Sequence, residues 1–304
     1  MQANIEAVAE PKVSKKHGKR RDWLVALLFL LPSIILLGVF VFYPMARTLY
    51  LSTSLTNLAG IPIGSAGFKN YLNLFTSPKF YQSLGATAIF VVGLTASTIL
   101  IAFGLASLAL KPIRSLNFVR TLYSSTMGVS ASVGSILWLF WFSPTVGILN
   151  RLLMSIHLPS VNWLSSPSWA IVSIIIPSAW MSIGFAFLVI LGALQTIPTE
   201  LYQVADLEGA GRWMRLRKIV LPHIKPTLQF VLIVTLIDAF QTFGQVDMLT
   251  AGGPDGHTNF LVFAIYTDAF VTHNAGKASA EAIILTLIIM VVTFLQFSIG
   301  KDKK

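Results

Sequence analysis

Few polar side chains in this chain could do chemistry, and those few lie within long apolar runs. Asp238, Gln241 and Gln245 are spaced by three and four residues, so in a helix they would share one face, with Thr242 beside it. A carboxylate in such a segment is costly and normally faces a cavity or a partner group. We expect these residues to contact a hydroxylated solute, whose donors and acceptors match carboxylate and amide groups. The alternative is an interhelical hydrogen-bond network without solute contact.

Aromatic residues could add to such a pathway. Trp180 lies inside an apolar run, and an indole ring can stack on the face of a sugar, so we include Trp180 in the predicted pathway. Trp138 and Trp141 have the same capacity, but they lie near the end of an apolar run. Tryptophan is common at such ends, where it anchors helices at the membrane interface.

The sequence shows neither a catalytic centre nor a metal site. The chain has no cysteine, and His223, His257 and His273 lack the spacing of metal ligands. No nucleophile, base and orienting group can be recognised as a set. The phosphate-binding pattern Gly-x-x-x-x-Gly-Lys-Ser/Thr is also missing. We therefore expect no catalytic residue, no bound metal and no cofactor in this chain.

The composition is that of an all-α integral membrane protein. Of the 304 residues 55% are hydrophobic and 11% are charged, and the mean hydropathy is +0.74, too apolar for a wetted surface. The uncharged run 23–43 would form a helix about 31 Å long, which matches a hydrocarbon core of about 30 Å. This length favours a retained first span over a cleavable signal. We predict six spans near residues 23–43, 85–110, 121–143, 169–194, 226–249 and 278–299.

The distribution of basic residues predicts the topology. Segments 1–22, 111–120, 212–225 and 301–304 together hold 17 of the 22 Lys and Arg residues. This bias follows the positive-inside rule, so both termini and the loop after the fourth span should be cytoplasmic. The net charge of +10 therefore reflects membrane topology, and we expect no nucleic-acid partner. We expect residues 1–22 to form a basic cytoplasmic tail ahead of a transmembrane domain, residues 23–304.

The cytoplasmic segment 198–222 has the pattern of two short helices. Apolar residues give each helix one apolar side, and Gly209 to Gly211 provide the only bend. Pro198 and Glu200 signal the start of the first helix, and Pro222 followed by Pro226 signals the end of the second. Apolar residues on so short a cytoplasmic excursion need a partner.

This segment resembles the coupling loop, or EAA loop, of the membrane subunits of binding-protein-dependent ABC importers. That family's pattern is Glu-Ala-Ala, three residues, Gly, nine residues, then Ile-x-Leu-Pro. Gln203 and Val204 depart from the triplet, but the spacing is kept. The resemblance implies docking on an ATPase subunit through Glu200, Gln203, Val204, Ala205, Glu208, Gly209, Ala210, Ile219, Leu221 and Pro222. The basic residues that follow, including Arg215, are expected at the lipid headgroups.

A second segment, 249–258, resembles the Thr-x-Gly-Gly-Pro-x-x-x-Thr region of carbohydrate-type permeases. Its motif residues are Gly252, Gly253, Pro254 and Thr258. The two resemblances together cover a core of residues 84–297. They imply the type I importer fold in the cytoplasmic membrane and a solute that is a sugar, an oligosaccharide or a polyol phosphate. In such a system the outer loop would shape the vestibule that faces the binding protein.

The resemblance also implies partners. These are a second permease subunit, two ATPase subunits that bind ATP and Mg²⁺, an extracellular or periplasmic solute-binding protein, the lipid bilayer and the small-molecule solute. The main rival interpretation is an ion-coupled secondary transporter in which Asp238 or Glu281 carries a proton or cation. Such transporters often consist of two related halves, which are not visible here.

Overall fold

The computed structural model describes residues 19–110 and 116–300, and this range is mostly helical. Most of the basic tail predicted at 1–22 lies outside the described residues, as do residues 111–115 and 301–304. The elements are α1 Lys19–Leu37, α2 Tyr43–Ser52, β1 Ser54–Thr56, β2 Pro62–Ser65, α3 Lys69–Phe75, α4 Pro78–Leu108, α5 Leu116–Thr126, α6 Ala131–Trp141, α7 Ile148–Ser155, α8 Pro167–Gln195, α9 Thr199–Leu207, α10 Arg212–Arg215, α11 Leu221–Phe240, α12 Gly244–Leu249, α13 Leu261–Tyr266 and α14 Ala275–Gly300.

The chain divides into two compact units, one up to Tyr50 and the other from Leu51 onward. From Lys19 onward the first unit is a single continuous helix, because a π-helical turn at Gly38–Phe42 joins α1 to α2. The prediction that the first span ends at Tyr43 is therefore wrong. The helix continues through Pro44 to Ser52.

A second π-helical turn, Leu216–Val220, joins α10 to α11 in the same way. The helix that starts at Arg212 runs through Pro222 and Pro226 to Phe240, so the predicted end at Pro222 is also wrong. Each of these two π turns lies two residues before a proline. Its wider backbone ring, closed by the amides of Tyr43 and Leu221, carries the helix past a residue that cannot donate a hydrogen bond.

Five helical segments in the described residues are long and apolar enough to cross a membrane: Val25–Ser52, Pro78–Leu108, Pro167–Gln195, Arg212–Phe240 and Ala275–Ser298. The predicted span 121–143 is instead divided into α5 and α6, with a break at residues 127–130. Gly128 and Ser130 lie in this break and favour turns over helix. The predicted span 226–249 is also divided, because α11 ends at Phe240 and α12 begins at Gly244.

The core of the second unit lies between α4, α8 and α11. Its largest fully buried side chains include Phe90, Phe187 and Ile190. Close approach of α5 to α8 depends on Gly184, because a Cβ there would lie 2.3 Å from the carbonyl oxygen of Tyr123. Small residues of this kind allow helices to pack tightly in lipid, where apolar burial provides no driving force.

The segments between the long helices are short. Residues 54–65 form an antiparallel hairpin, and α7 is a short helix after α6. The buried Asn150 of α7 accepts hydrogen bonds from the backbone amide of Val161 and from Nε1 of Trp163, both at 3.0 Å. These bonds fasten α7 to the segment that leads into α8.

Candidate functional site

The turn of the predicted coupling loop is a Schellman motif at the end of α9. The amide of Gly209 donates to the carbonyl of Asp206 at 3.1 Å, and the amide of Ala210 donates to the carbonyl of Ala205 at 2.9 Å. Gly209 has a φ of +67°, the left-handed conformation that glycine adopts without a Cβ penalty. The bend predicted at residues 209–211 is therefore centred on Gly209.

Arg215 stabilises this turn from the following helix. Its guanidinium lies 2.5 Å from the carboxylate of Asp206, and its Nε donates to the carbonyl of Ala210 at 2.7 Å. The prediction that placed Arg215 at the lipid headgroups is wrong, since the side chain joins α9 to α10 within the loop. Sequence inspection missed this role, although an Asp and an Arg on either side of a Gly-rich bend were a usable signal.

The predicted coupling residues divide into a buried and an exposed set. Ala205 and Ala210 are buried, and Ile219 is half-buried. Glu200, Gln203, Val204, Glu208, Gly209, Leu221 and Pro222 are exposed. Among the neighbours of this set, Leu207 is 89% exposed and Trp213 is 71% exposed. Leu207 lies in the short helix α9, and Trp213 lies in the first turn of the helix Arg212–Phe240. Large apolar side chains this exposed around a turn that joins two helices are typical of a docking surface.

The predicted pathway residues do not lie on one helical face. α11 ends at Phe240, so Asp238 lies in its last turn, Gln241 and Thr242 follow the helix end, and Gln245 lies in α12. The expectation of a shared face is wrong. The amide of Gln241 donates to the carbonyls of Ile237 and Asp238, which closes the helix end instead of continuing it.

A cavity of about 290 Å³ nevertheless opens beside Asp238. It lies where the break between α5 and α6 meets α8 and α11. Its lining residues are Thr126, Met127, Val129, Met181, Ser182, Phe185, Val234, Thr235 and Asp238. The exposed carboxylate of Asp238 and three hydroxyl groups provide polar contacts in an otherwise apolar wall, which is the usual make-up of a small-molecule site.

Of the other predicted pathway residues, Gln245 contacts a side chain of this wall. Its Nε2 lies 3.5 Å from Sδ of Met181. Thr242 is buried and donates to the carbonyl of Asp238 at 3.1 Å. Gln241 and Trp180 do not line the cavity. Sequence inspection missed Thr126 and Ser182. The turn-favouring residues at 128–130 were the available signal for a helix break at this place.

Trp180 belongs to an aromatic cluster. Its ring packs edge-on against Trp138 with centroids 6.2 Å apart, and Trp138 in turn contacts Trp141 at 5.1 Å. Trp180 is half-buried, and its ring is already engaged by another indole. This packing favours a role in holding α6 against α8.

The outer-loop motif forms a folded turn. The buried hydroxyl of Thr258 donates to the carbonyl of Gly253 at 2.5 Å and lies 2.8 Å from the hydroxyl of Thr250. Gly252 has a φ of +83°, and a Cβ there would lie 3.0 Å from the ring of Phe263. Glycine is therefore required at this position for both backbone conformation and space.

Three hydrogen bonds fasten this loop to α4. Nε2 of Gln82 donates to the carbonyl of Asp255 at 2.7 Å, Nδ2 of Asn259 donates to Oγ of Ser83 at 3.1 Å, and the amide of Leu261 donates to Oγ1 of Thr87 at 2.9 Å. The loop and the start of α4 enclose a cavity of about 500 Å³. The full helix Arg212–Phe240 separates this loop from the coupling turn at Gly209. That helix is about 43 Å long at 1.5 Å per residue.

A charged cluster lies next to this loop. Nζ of Lys277 is 2.6 Å from the carboxylate of Asp268 and 3.8 Å from Oε1 of Glu281. Glu281 is the buried member of the cluster, since it is only 3% exposed. No signal in the sequence could have shown this, because its burial depends on the packing of α13 and α14.

Comparison with known proteins assigns the family. The model of the family described as "Binding-protein-dependent transport system inner membrane component" matches residues 99–303. The chain belongs to this family. It is therefore a permease subunit of an ABC importer, a multi-pass protein of the cytoplasmic membrane and not an enzyme. The ion-coupled alternative is not favoured.

Relatives of this permease are similar over nearly the whole chain. The sulfoquinovosyl glycerol transport system permease protein of Agrobacterium fabrum is 32% identical over 93% of this chain and 92% of its own. The sn-glycerol-3-phosphate transport system permease protein of the same organism is 33% identical over 89% of this chain and 92% of its own. A chain of a bacterial alginate ABC transporter, solved with an alginate pentasaccharide-bound periplasmic protein, has a TM-score of 0.77 at 24% identity. The match covers 93% of this chain and 96% of that chain, and it supports the type I permease fold.

Proposed function

We propose that this permease imports a sugar, an oligosaccharide or a related polyol phosphate by alternating access. The names of its relatives support this solute class, since they refer to a sulfoquinovosyl glycerol and to sn-glycerol 3-phosphate. The cavity of about 290 Å³ beside Asp238 supports a solute pathway, because its hydroxyl groups and carboxylate suit a hydroxylated molecule.

The observation that carries the coupling part of the proposal is the exposed apolar side of the 198–222 loop. Leu207 and Trp213 would dock on one of two ATPase subunits, which bind ATP and Mg²⁺. The Arg215 contacts keep α9 at a defined angle to α10, so movement of the ATPase would be passed to the long helix Arg212–Phe240. Closure of the ATPase pair would then turn the pathway outward, a rigid-body transition between two packed states.

The complete importer would contain further partners. A second permease subunit would form the other half of the pathway, and a solute-binding protein would deliver the solute to the side of the 249–258 loop. Cavities and hydrogen bonds at that loop support a fixed outer rim on which such a protein could dock.

The test is uptake of radiolabelled solute into proteoliposomes that contain the full complex, with the solute chosen by binding to the cognate binding protein. We expect uptake that requires ATP. Uptake that persists in a proton gradient without ATP would contradict the proposal.

Substitution of Leu207 by Ser tests the docking surface in the same assay. We expect loss of most ATP-driven uptake and of ATPase subunits from the purified complex, because an exposed apolar anchor would be removed. Leu58→Ser is the matched control. Leu58 is 77% exposed in the hairpin loop at the other side of the protein, and its replacement should leave both readouts unchanged. Equal behaviour of the two variants would argue against docking through Leu207.

A further inference from the structure

Glu281 lines a cavity that the transport pathway beside Asp238 does not include. The cavity has a volume of about 210 Å³ and lies between the start of α4, the segment 259–272 and the start of α14. Its polar lining residues are Lys79, Ser83, Asn259, Thr267, Asp268, Thr272, Lys277 and Glu281. It shares Lys79, Asn259 and Thr267 with the cavity of about 500 Å³ under the 249–258 loop, so the two are neighbouring chambers.

The carboxylate of Glu281 is the unusual group in this cavity. Its side chain is 3% exposed, and Oε2 is fully buried without a hydrogen-bond partner among the described residues. Oε1 lies 3.8 Å from Nζ of Lys277, and the carboxyl group of Asp268 also interacts with the Glu281 carboxyl group. Lys277 is engaged more closely by Asp268, at 2.6 Å. A buried carboxylate oxygen without a donor is costly, so a donor from outside the protein would be favoured here.

The charges around the cavity decide which kind of donor fits. The ammonium groups of Lys79 and Lys277 and the carboxyl groups of Asp268 and Glu281 all line the wall, so its formal charge is balanced and favours neither a cation nor an anion. In addition, no three His, Cys, Asp or Glu side chains in residues 19–110 and 116–300 are grouped as metal ligands. A neutral hydroxyl group suits such a wall and can donate to the carboxylate.

The volume sets the size of the ligand. A cavity of about 210 Å³ corresponds to roughly seven waters at about 30 Å³ each. This space suits a triol or a single sugar ring and excludes an oligosaccharide. A longer solute could extend into the adjoining chamber of about 500 Å³.

We propose that the Glu281 cavity is an outer subsite that binds one neutral polyhydroxylated unit, with a ligand hydroxyl donating to Glu281 and the ammonium of Lys79 donating to another oxygen. This proposal rests on the proposed function, because it assigns the subsite to an early contact of the solute on the outer side. A solute would meet it before reaching the cavity beside Asp238.

The test uses the full-length chain in lipid nanodiscs and saturation-transfer difference NMR. The probes are glycerol and methyl α-glucopyranoside as neutral units, glycerol 3-phosphate as an anion, and Na⁺ as a competitor. We expect saturable signals from the neutral probes, at least tenfold weaker binding in Glu281→Gln, and no competition by Na⁺. The fold should survive this substitution, because the Lys277 and Asp268 pair remains.

Lys79→Gln is a second variant. Lys79 is exposed, so this substitution does not change a buried side chain. It should weaken binding of the neutral probes at least threefold. Asp247→Asn is the matched control, because Asp247 lies in α12 and lines neither chamber, and it should bind like the unmodified chain. Absence of saturable binding by the neutral probes, or equal binding in all variants, would overturn the subsite. Preference for glycerol 3-phosphate, or displacement of the probes by Na⁺, would also overturn it.

Uptake by the complete importer separates the two proposals. ATP-driven uptake without probe binding would reject only the subsite. Absence of ATP-driven uptake by the unmodified complex would reject the proposed function, whatever the NMR signals show.

Discussion

At the scale of single residues, Gly209 and Gly211 lie two positions apart on the same exposed turn and differ only in backbone conformation. A Cβ at either would meet no atom within 4 Å. Gly209 has a φ of +67°, whereas Gly211 has a φ of −66°. An alanine at position 209 would therefore cost about 1–2 kcal/mol of backbone strain, with no steric clash involved.

This difference gives a paired prediction. Gly209→Ala should open the Schellman turn and lower solute-stimulated ATP hydrolysis by the assembled importer several-fold. In Gly211→Ala the rate of ATP hydrolysis should stay near that of the unmodified importer, because the backbone conformation at position 211 suits any residue. ATP hydrolysis with and without solute is the measurement. Equal rates in both variants would show that the angle between α9 and α10 does not transmit movement.

Asp238 provides a second prediction at this scale. Asp238→Asn keeps the shape and removes the charge that lines the cavity of about 290 Å³. Loss of a charged hydrogen bond to the solute costs about 1.5–3 kcal/mol, so the solute concentration for half-maximal uptake should rise about tenfold or more. Thr242→Val is the control, because Thr242 donates to a backbone carbonyl at the end of α11 and does not line the cavity. A normal half-saturation value for Asp238→Asn would support a structural role for Asp238.

At the scale of elements, the contact between the broken third span and α8 depends on one glycine. A Cβ at Gly184 would lie 2.3 Å from the carbonyl of Tyr123 and 2.7 Å from Oγ1 of Thr126. Both atoms belong to the last turns of α5, immediately before the break that borders the cavity beside Asp238. An added methyl group would have to push α5 away from α8.

Gly184→Ala should therefore lower the thermal midpoint of the detergent-solubilised chain by several degrees, since overpacking costs about 1–3 kcal/mol. Gly192→Ala on the same helix is the control. A Cβ at Gly192 meets nothing within 4 Å, and alanine is the better helix former by about 1 kcal/mol, so the midpoint should be unchanged or higher. Equal midpoints for the two variants would show that α5 is not held by this contact.

The π turns that join α1 to α2 and α10 to α11 belong to the same scale. Both Gly38–Phe42 and Leu216–Val220 lie two residues before a proline, and both helices continue beyond it. Pro222 was interpreted from the sequence as the end of its helix, which is the usual effect of proline in soluble proteins. The wider turn accommodates the proline, so neither Pro44 nor Pro222 marks a helix boundary.

At the scale of the whole molecule, the sequence lacks cysteine, so single introduced cysteines report topology without background. Leu207→Cys and Asp255→Cys place exposed thiols on the coupling loop and on the outer loop. In intact spheroplasts an impermeant maleimide should label Asp255→Cys, and it should label Leu207→Cys only after the membrane is opened. The opposite labelling would invert the predicted topology and place the docking surface out of reach of an ATPase.

Much of this architecture could be predicted from local signals. Long uncharged runs located the membrane helices, because lipid imposes both their length and their apolar composition. The Gly209 bend was visible in the Gly-Ala-Gly sequence between two short amphipathic patterns. The breaks after Thr126 and Phe240 were not predicted. Gly128 and Ser130 were a local signal for the first break, but a continuous span was placed across each.

The sequence by itself determined the membrane class, the orientation expected from charge and the spacing of the coupling loop, since each depends on residue type and distance along the chain. Tertiary structure alone decided the surroundings of Asp238 and Glu281. Asp238 lines a cavity formed by the end of α5, α8 and α11, and Glu281 is buried beside Lys277. The physical reason is that burial and partners of a charged group depend on elements distant in sequence, which no local pattern records.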